Sequence, residues 1–348
     1  MESGFFDKVE DNAAVRIWAE TTQQEKGDSL TEGYVSELSD FTRVSVTQNN
    51  LQEMKEIWAQ WDDEVKRLFY CHYGHLPYLL DVKIDERLFG ALVQYWNSAY
   101  SCFTFGNVDL VPTIDEYTAL IRCPKIQVDR IYSKAASGPA FSKKHLRDLI
   151  LAHPDTKKRV DVFALSIYGL VIFPKALGHV DEAVSDLFDR LSKGTTPVPA
   201  ILDETFRSLN VCRRAGEGRF IGCAQLLLSW FHSHFWKIEK NLQEEDVEWR
   251  APWMVPDEIL YRCGDFDWVP LLGVWGAVGY APLLVLRQYR SRQFTPPTYG
   301  LAQCEFVFTG NNYKRRVREI SNAWNQIRRM KKFAANSMAT PEYDQWRI

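Results

Sequence analysis

The sequence predicts a predominantly helical α+β fold in a single domain, with a small β-hairpin and short buried strands near 268–280. Three observations carry this. Apolar residues recur at three- and four-residue steps over several long stretches, as they do in helices with one buried face. One block, Phe103 to Pro124, alternates apolar and polar residues on both sides of Gly106-Asn107, as a hairpin does. A charge-free run, Trp268 to Leu286, is cut by Pro270, Gly273, Gly276, Gly279 and Pro282 into pieces that suit buried extended segments over Val269–Leu272 and Val274–Tyr280. A chain of 348 residues buries about three-quarters of its unfolded surface and needs no metal or disulfide staple. No Pro/Ser-rich or charged linker divides its middle.

In chain order, residues 1–30 read as a loosely ordered arm, 31–335 as the globular body and 336–348 as a tail. Gln48 to Tyr70 reads as one helix, because Leu51, Met54, Ile57, Trp58, Trp61, Val65, Leu68 and Phe69 share a stripe. Ile84 to Trp96 is a second helix. The hairpin follows, with strands in Phe103–Phe105 and Val108–Val111. Thr113 stands three residues before Glu116, the spacing of a capping box, so a helix starts there and Pro124 ends it. After a Gly/Ser/Pro/Ala loop at Ala135–Ala140, helices are expected over Lys144–Ala152, Lys158–Phe173, Asp181–Leu191, Pro199–Arg213 and Phe220–Trp236. Val162 to Phe173 is apolar nearly all round and belongs at the centre of the core. Ala215 to Arg219 reads as a tight turn between antiparallel helices. Tyr313 to Phe333 reads as the last helix.

The block from Leu88 to Pro124 resembles the plant mobile domain family, found in plant transposable elements and in host genes derived from them. The matching pieces are the helix Leu88 to Trp96, the Phe-rich hairpin Cys102 to Val111, and the Thr113-led helix through Ile121 closing on Pro124. Lys26-Gly27-Asp28-Ser29-Leu30, Leu149 to Pro154 and Trp249-Arg250-Ala251-Pro252-Trp253 resemble a retroelement-linked plant subgroup of unknown function. The chain is shorter than that subgroup's pattern near Phe141-Ser142-Lys143 and near Glu239-Lys240-Asn241. The resemblance implies a link to transposable elements and, in host-derived members, to silencing or genome maintenance. The family also carries an aminotransferase-like label. Pyridoxal chemistry needs a Schiff-base lysine with an acidic partner for the ring nitrogen, and no such pair stands out here.

Other chemistry is weighed against plain structure. Seven cysteines, none spaced as CxxC, fit reduced thiols in an intracellular protein. The first residues carry no basic region before an apolar run, so no signal peptide is expected. Gly216-Glu217-Gly218-Arg219-Phe220-Ile221-Gly222 misses the dinucleotide fingerprint at Ile221, and no strand is expected ahead of it. His232 and His234 lie two apart, on different helix faces, and read as surface or hydrogen-bonded side chains. His72 and His75 share a metal only if the chain folds back at Gly74. Asp265 and Asp267 read as loop residues entering a buried strand. No nucleophile elbow and no zinc-deaminase pattern is present. The expectation is therefore no catalytic residues, no metal and no cofactor.

The charge distribution is uneven. From Arg287 to Lys332 there are eleven Lys/Arg against two acids, Glu305 and Glu319, within a chain of net charge −3. The remainder thus carries about −12, an asymmetry that points to a basic surface. Lys314, Arg315, Arg316, Arg318, Arg328, Arg329, Lys331 and Lys332 form its centre, and Tyr313, Val317, Ile320, Trp324 and Ile327 would form the apolar stripe of the same helix. Three readings follow: phosphate contacts to nucleic acid, a bipartite nuclear localisation signal, or a solvated helix answering an acidic body. Trp249, Trp253 and Trp268 mark a candidate partner surface. The function expected is a non-catalytic interaction module with protein partners, inside the cell and in the nucleus. The alternatives are a nucleic-acid-binding protein using the basic C-terminal helix and an enzyme of unrecognised type.

Overall fold

The computed structural model describes residues 42–46, 48–98, 101–105, 108–122, 140–191, 194–234, 258–263, 269–280, 305–308, 313–324 and 327–331. Strand β1 (Arg43–Val46) leads into helices α1 (Gln52–Gln60) and α2 (Asp63–Tyr73), a 3-10 turn (Leu76–Leu80) and α3 (Glu86–Gln94). Strands β2 (Trp96–Asn97), β3 (Cys102–Phe105) and β4 (Val108–Leu110) form an antiparallel sheet, followed by α4 (Ile114–Ile121). Then come β5 (Phe141–Ser142), α5 (Lys143–Ala152), α6 (Thr156–Ile167) with a π-turn (Tyr168–Ile172), β6 (His179–Val180), α7 (Glu182–Leu191) and α8 (Val198–Ala215). Strand β7 (Glu217–Phe220) and helix α9 (Ala224–His234) precede the C-terminal elements β8 (Glu258–Cys263), β9 (Val269–Leu272), β10 (Gly276–Tyr280), β11 (Phe306–Val307), α10 (Tyr313–Trp324) and β12 (Ile327–Lys331). The fold is α+β and predominantly helical, with the strands in small separate sheets.

Capping residues explain most helix starts. The expected capping box is present: Thr113 Oγ1 accepts from the Glu116 amide at 3.1 Å, and Glu116 Oε2 accepts from the Thr113 amide at 2.8 Å. Asp85, Ser142 and Asp155 cap α3, α5 and α6 in the simpler way. At Phe141-Ser142, β5 pairs with β6 and Ser142 starts α5. Gly74 ends α2 at φ 70°, and a Cβ there would lie 2.4 Å from the Ile121 carbonyl oxygen. A glycine is needed there on both counts.

Three expectations are corrected. Gln48–Tyr70 is two helices, because Trp61 is extended and the Asp62 side chain accepts from the Val65 amide at 2.8 Å, restarting the chain as an N-cap. Ala215–Arg219 is not a helix–helix turn. After Gly216 at φ 70°, the chain becomes β7, pairing parallel to β1 from Arg43↔Glu217 to Val46↔Phe220. Helix α9 accordingly begins at Ala224, after Phe220. The helix expected over Tyr313–Phe333 ends at Trp324, and Ile327–Lys331 is a strand antiparallel to β8 with a bulge between Arg328 and Arg329. Backbone pairing with a distant strand overrides the helical periodicity there.

The main core joins residues from Met54 to Tyr280. Tryptophans organise it: Trp58 stacks on Phe163, Trp96 on Phe206 and Trp230 on Phe103. The π-turn is fully internal. Gly169 there lies so close to Val180 that a Cβ would meet its Cγ2 at 2.3 Å. Asn49 stitches this region by donating to the Leu170 carbonyl at 2.9 Å and accepting from the Gly178 amide at 2.7 Å. The pieces of Trp268–Leu286 that are described, β9 and β10, form an antiparallel buried hairpin. No helix among the described residues is long and apolar enough to cross a membrane. The N-terminal arm, the C-terminal tail, the Ala135–Pro139 loop, the turn residues Gly106-Asn107, Asp265 and Asp267 lie outside the described residues.

Candidate functional site

The densest polar chemistry lies inside the fold, along α8. Asp203, Glu204, Arg207, Asn210 and Arg214 recur at steps of three and four and share one side of that helix. Asp203 and Glu204 are wholly inaccessible, and Arg207 is 6% exposed. The Arg207 guanidinium pairs through Nη2 with Glu204 Oε2, and Glu204 Oε1 also accepts from the Trp275 amide at 2.7 Å. Asp203 is treated differently. Arg207 Nε is 3.8 Å from its Oδ2, an ion-pair distance but not a hydrogen bond. Neither Asp203 oxygen has a regular hydrogen-bond partner among the described residues. Burial holds its carboxyl well above the usual carboxylate range, and the neighbouring Glu204 charge adds to this, against the pull of Arg207.

The β9–β10 hairpin closes over this group. Gly273 donates to the Gly276 carbonyl at 2.9 Å across the tip. A Cβ on Gly273 would sit 1.9 Å from Asp203 Oδ2, and one on Gly276 would sit 2.6 Å from Arg207 Nε. Both glycines are needed for close approach, since backbone rests directly on the charged cluster. At the tip, Trp275 donates from Nε1 to Asp181 at 3.1 Å, and the Lys175 ammonium lies 4.6 Å from its ring centroid. Farther along α8, Asn210 accepts from Trp96 Nε1 at 2.8 Å and donates to Glu305 at 3.1 Å. Arg214 makes a two-pronged contact to the same Glu305 carboxylate, at 3.1 and 2.6 Å.

A second internal hub is Glu116. Beyond closing the capping box, its carboxylate accepts from Trp230 Nε1 at 2.9 Å and lies 2.8 Å from His234 Nε2. His234 is therefore a buried hydrogen-bonded histidine, whereas His232 is exposed on the other side of α9. His72 Nδ1 lies 2.8 Å from the Leu68 carbonyl oxygen, and the His75 ring packs on Tyr70. Among the described residues no group of three or more His, Cys, Asp or Glu is placed to hold a metal ion. Burial pushes the Cys223 thiol up to about 12 and the Cys212 thiol up to about 11, so neither is a nucleophile at neutral pH.

The basic surface is split by the structure. Helix α10 docks through Val317, with Tyr313 and Ile320, on a small cluster of Leu272, Ala277, Phe306 and Phe308. Lys314, Arg315 and Arg318 are exposed. Arg316 lies over the Phe306 ring at 4.1 Å, and Arg315 pairs with Glu319 at 3.4 Å. Arg328, Arg329 and Lys331 belong to β12, opposite Arg262, Leu260 and Glu258 of β8. Lys332 and the three tryptophans proposed as a partner surface, Trp249, Trp253 and Trp268, lie outside the described residues.

The α8 cluster and the Glu116 hub escape a reading by motif. Their signal is weaker: acids and an arginine recurring on one side of a helix whose other positions are mostly apolar. The same periodicity suits an exposed face, and only tertiary contact distinguishes the two.

A family model described as Domain of unknown function (DUF7745) matches residues 54–144 and 140–348. The chain belongs to that family. No curated protein and no solved structure matches it. The DUF7745 match takes in both internal hubs and α10.

Proposed function

We propose that this DUF7745 chain is a non-catalytic interaction module of the plant mobile domain kind, linked to transposable elements and acting on protein partners in the nucleus. The observation that carries the reading is how its internal polar groups are used. Glu204 ties α8 to the hairpin tip, Glu305 ties β11 to α8, and Glu116 ties α4 to α9. Charged groups that join separate elements hold a shape, and a held shape is what a docking surface requires. Support for the finer family comes from the block that suggested it. Trp96, Phe103 and Tyr117, from the strand after its first helix, its hairpin and its closing helix, all lie in the main core.

Affinity purification of the tagged chain from plant nuclei, with and without nuclease, tests this. Protein partners that survive nuclease digestion are expected. Recovery of nucleic acid alone would overturn it, as would a fluorescent fusion that stays out of the nucleus for the location.

One observation favours a second reading, binding to nucleic acid. Helix α10 is anchored by its apolar stripe while Lys314, Arg315 and Arg318 face solvent. Phosphate contacts from such a face weaken by a slope of about 0.9 in log affinity against log salt for each duplex phosphate neutralised. Arg315→Glu with Arg318→Glu should abolish binding to duplex and single-stranded probes and leave the melting temperature unchanged. A salt-insensitive signal, or none at low salt, would remove this reading.

A further inference from the structure

We propose that Asp203 sits in the native fold as the neutral acid, and that losing its proton unseats the β9–β10 hairpin from α8. Two adjacent carboxylates face one guanidinium. Glu204 takes the better share, pairing with Arg207 Nη2 and accepting the Trp275 amide at 2.7 Å. Asp203 is left with the 3.8 Å approach of Arg207 Nε and no regular hydrogen bond among the described residues. The Val278 backbone gives it only partial polar support. Gly273 closes over its Oδ2 so tightly that a Cβ would fall 1.9 Å away, which leaves no room for a solvating water on that side. An ionised carboxylate in such a place is poorly solvated, and the proton is what removes that cost.

The charged surroundings point the same way from each packed element. On α8, Glu204 opposes ionisation and Arg207 favours it. Ahead of β11, Glu305 opposes it, although Arg214 partly offsets that charge. On β10, the Tyr280 phenol is influenced by Asp115 and Glu116 instead. Asp181 and Lys175 act at Trp275, on the hairpin tip. The two guanidinium charges of Arg207 and Arg214 do not balance the carboxylates of Asp203, Glu204 and Glu305, so one of the three keeps its proton. The least hydrogen-bonded, Asp203, is the one that does.

The sign of the pH effect follows. The folded chain holds this proton above the pH at which the unfolded chain releases it. The stabilisation is therefore complete below the ordinary aspartate range near 3.8 and is lost as pH rises towards the folded value. One linked proton changes the opening constant by up to tenfold per pH unit. Because β9, β10 and β11 form one sheet and α10 rests on it, loosening the hairpin also frees the cationic helix. The inference stands whether or not α10 binds anything.

The test compares the full chain with Asp203→Asn, which keeps the shape and cannot ionise. Hydrogen exchange of residues 269–280, corrected for intrinsic base catalysis, is followed from pH 5 to 9 on the order of one unit per step. The native chain should lose protection there as pH rises, by up to about tenfold per unit, while residues 160–173 hold. Asp203→Asn should show a flat profile. Parallel profiles for the two chains would overturn the proposal. Should the variant not fold, infrared spectroscopy of the native chain decides alone. A protonated-carboxyl band present at neutral pH and lost on unfolding is expected, and its absence would overturn the proposal.

Discussion

Asp203 and Glu204 are neighbours in sequence, equally buried, and chemically unlike. What separates them is two donors, the Trp275 amide and Arg207 Nη2, which reach Glu204 and not Asp203. Removing Arg207 should be severe, because it leaves Glu204 charged and unpaired inside the core. We expect Arg207→Leu to cost about 3–5 kcal/mol in denaturant unfolding, whereas Asp203→Asn costs little or nothing. Gly273→Ala brings a methyl group onto the same carboxyls. It should cost about 3 kcal/mol by overpacking, read by the same measurement. If Gly273→Ala proves neutral, the close approach of hairpin and helix is wrong.

At the scale of elements, caps and distant pairing decide boundaries that periodicity does not. The apolar stripe of Gln48–Tyr70 continues unbroken through Trp61, yet the Asp62 side chain satisfies the Val65 amide and a new helix starts. Asp62→Ala should cost about 1 kcal/mol, seen as a lowered denaturation midpoint. An unchanged midpoint would mean that the break at Trp61 is held by aromatic packing, where Trp61 meets Trp58 and Phe163. The capping box at Thr113 was legible because both of its partners lie within four residues. Strand β7 was not, since its partner, β1, is more than 170 positions away and a short Gly-containing segment reads as a turn until something pairs with it. The same reason hides β12, whose Arg-rich stretch continues a helical pattern but hydrogen-bonds to β8.

At the scale of the molecule, the described residues form one large core and one small one. The large core packs aromatic rings from α1, α2, α6, α8, α9 and the strands among aliphatic side chains, and losing one ring should be felt throughout. Phe206, stacked on both Trp96 and Tyr280, is the test: Phe206→Ala should cost about 3–5 kcal/mol and lower protection everywhere. The small core under α10 is a few side chains. Val317→Ala should therefore cost about 1 kcal/mol and raise hydrogen exchange in α10 and β11 while α6 and α8 stay protected. A uniform loss of protection would show that α10 is integral to the main core.

The sequence alone carries the class of fold, the hairpin with its capped helix and the buried extended pieces after Val269. Each of these is written in neighbouring residues, as a period, a turn or a cap, so local physics suffices to read it. It also displayed the cations of α10, since charge is visible without coordinates of any kind. Tertiary contact alone turns Asp203, Glu204 and Arg207 inward, brings His234 to Glu116, and divides the basic stretch between a helix and a strand. Those outcomes depend on which distant element arrives to bury a polar face or pair with a free backbone edge, and no window of neighbouring residues contains that partner.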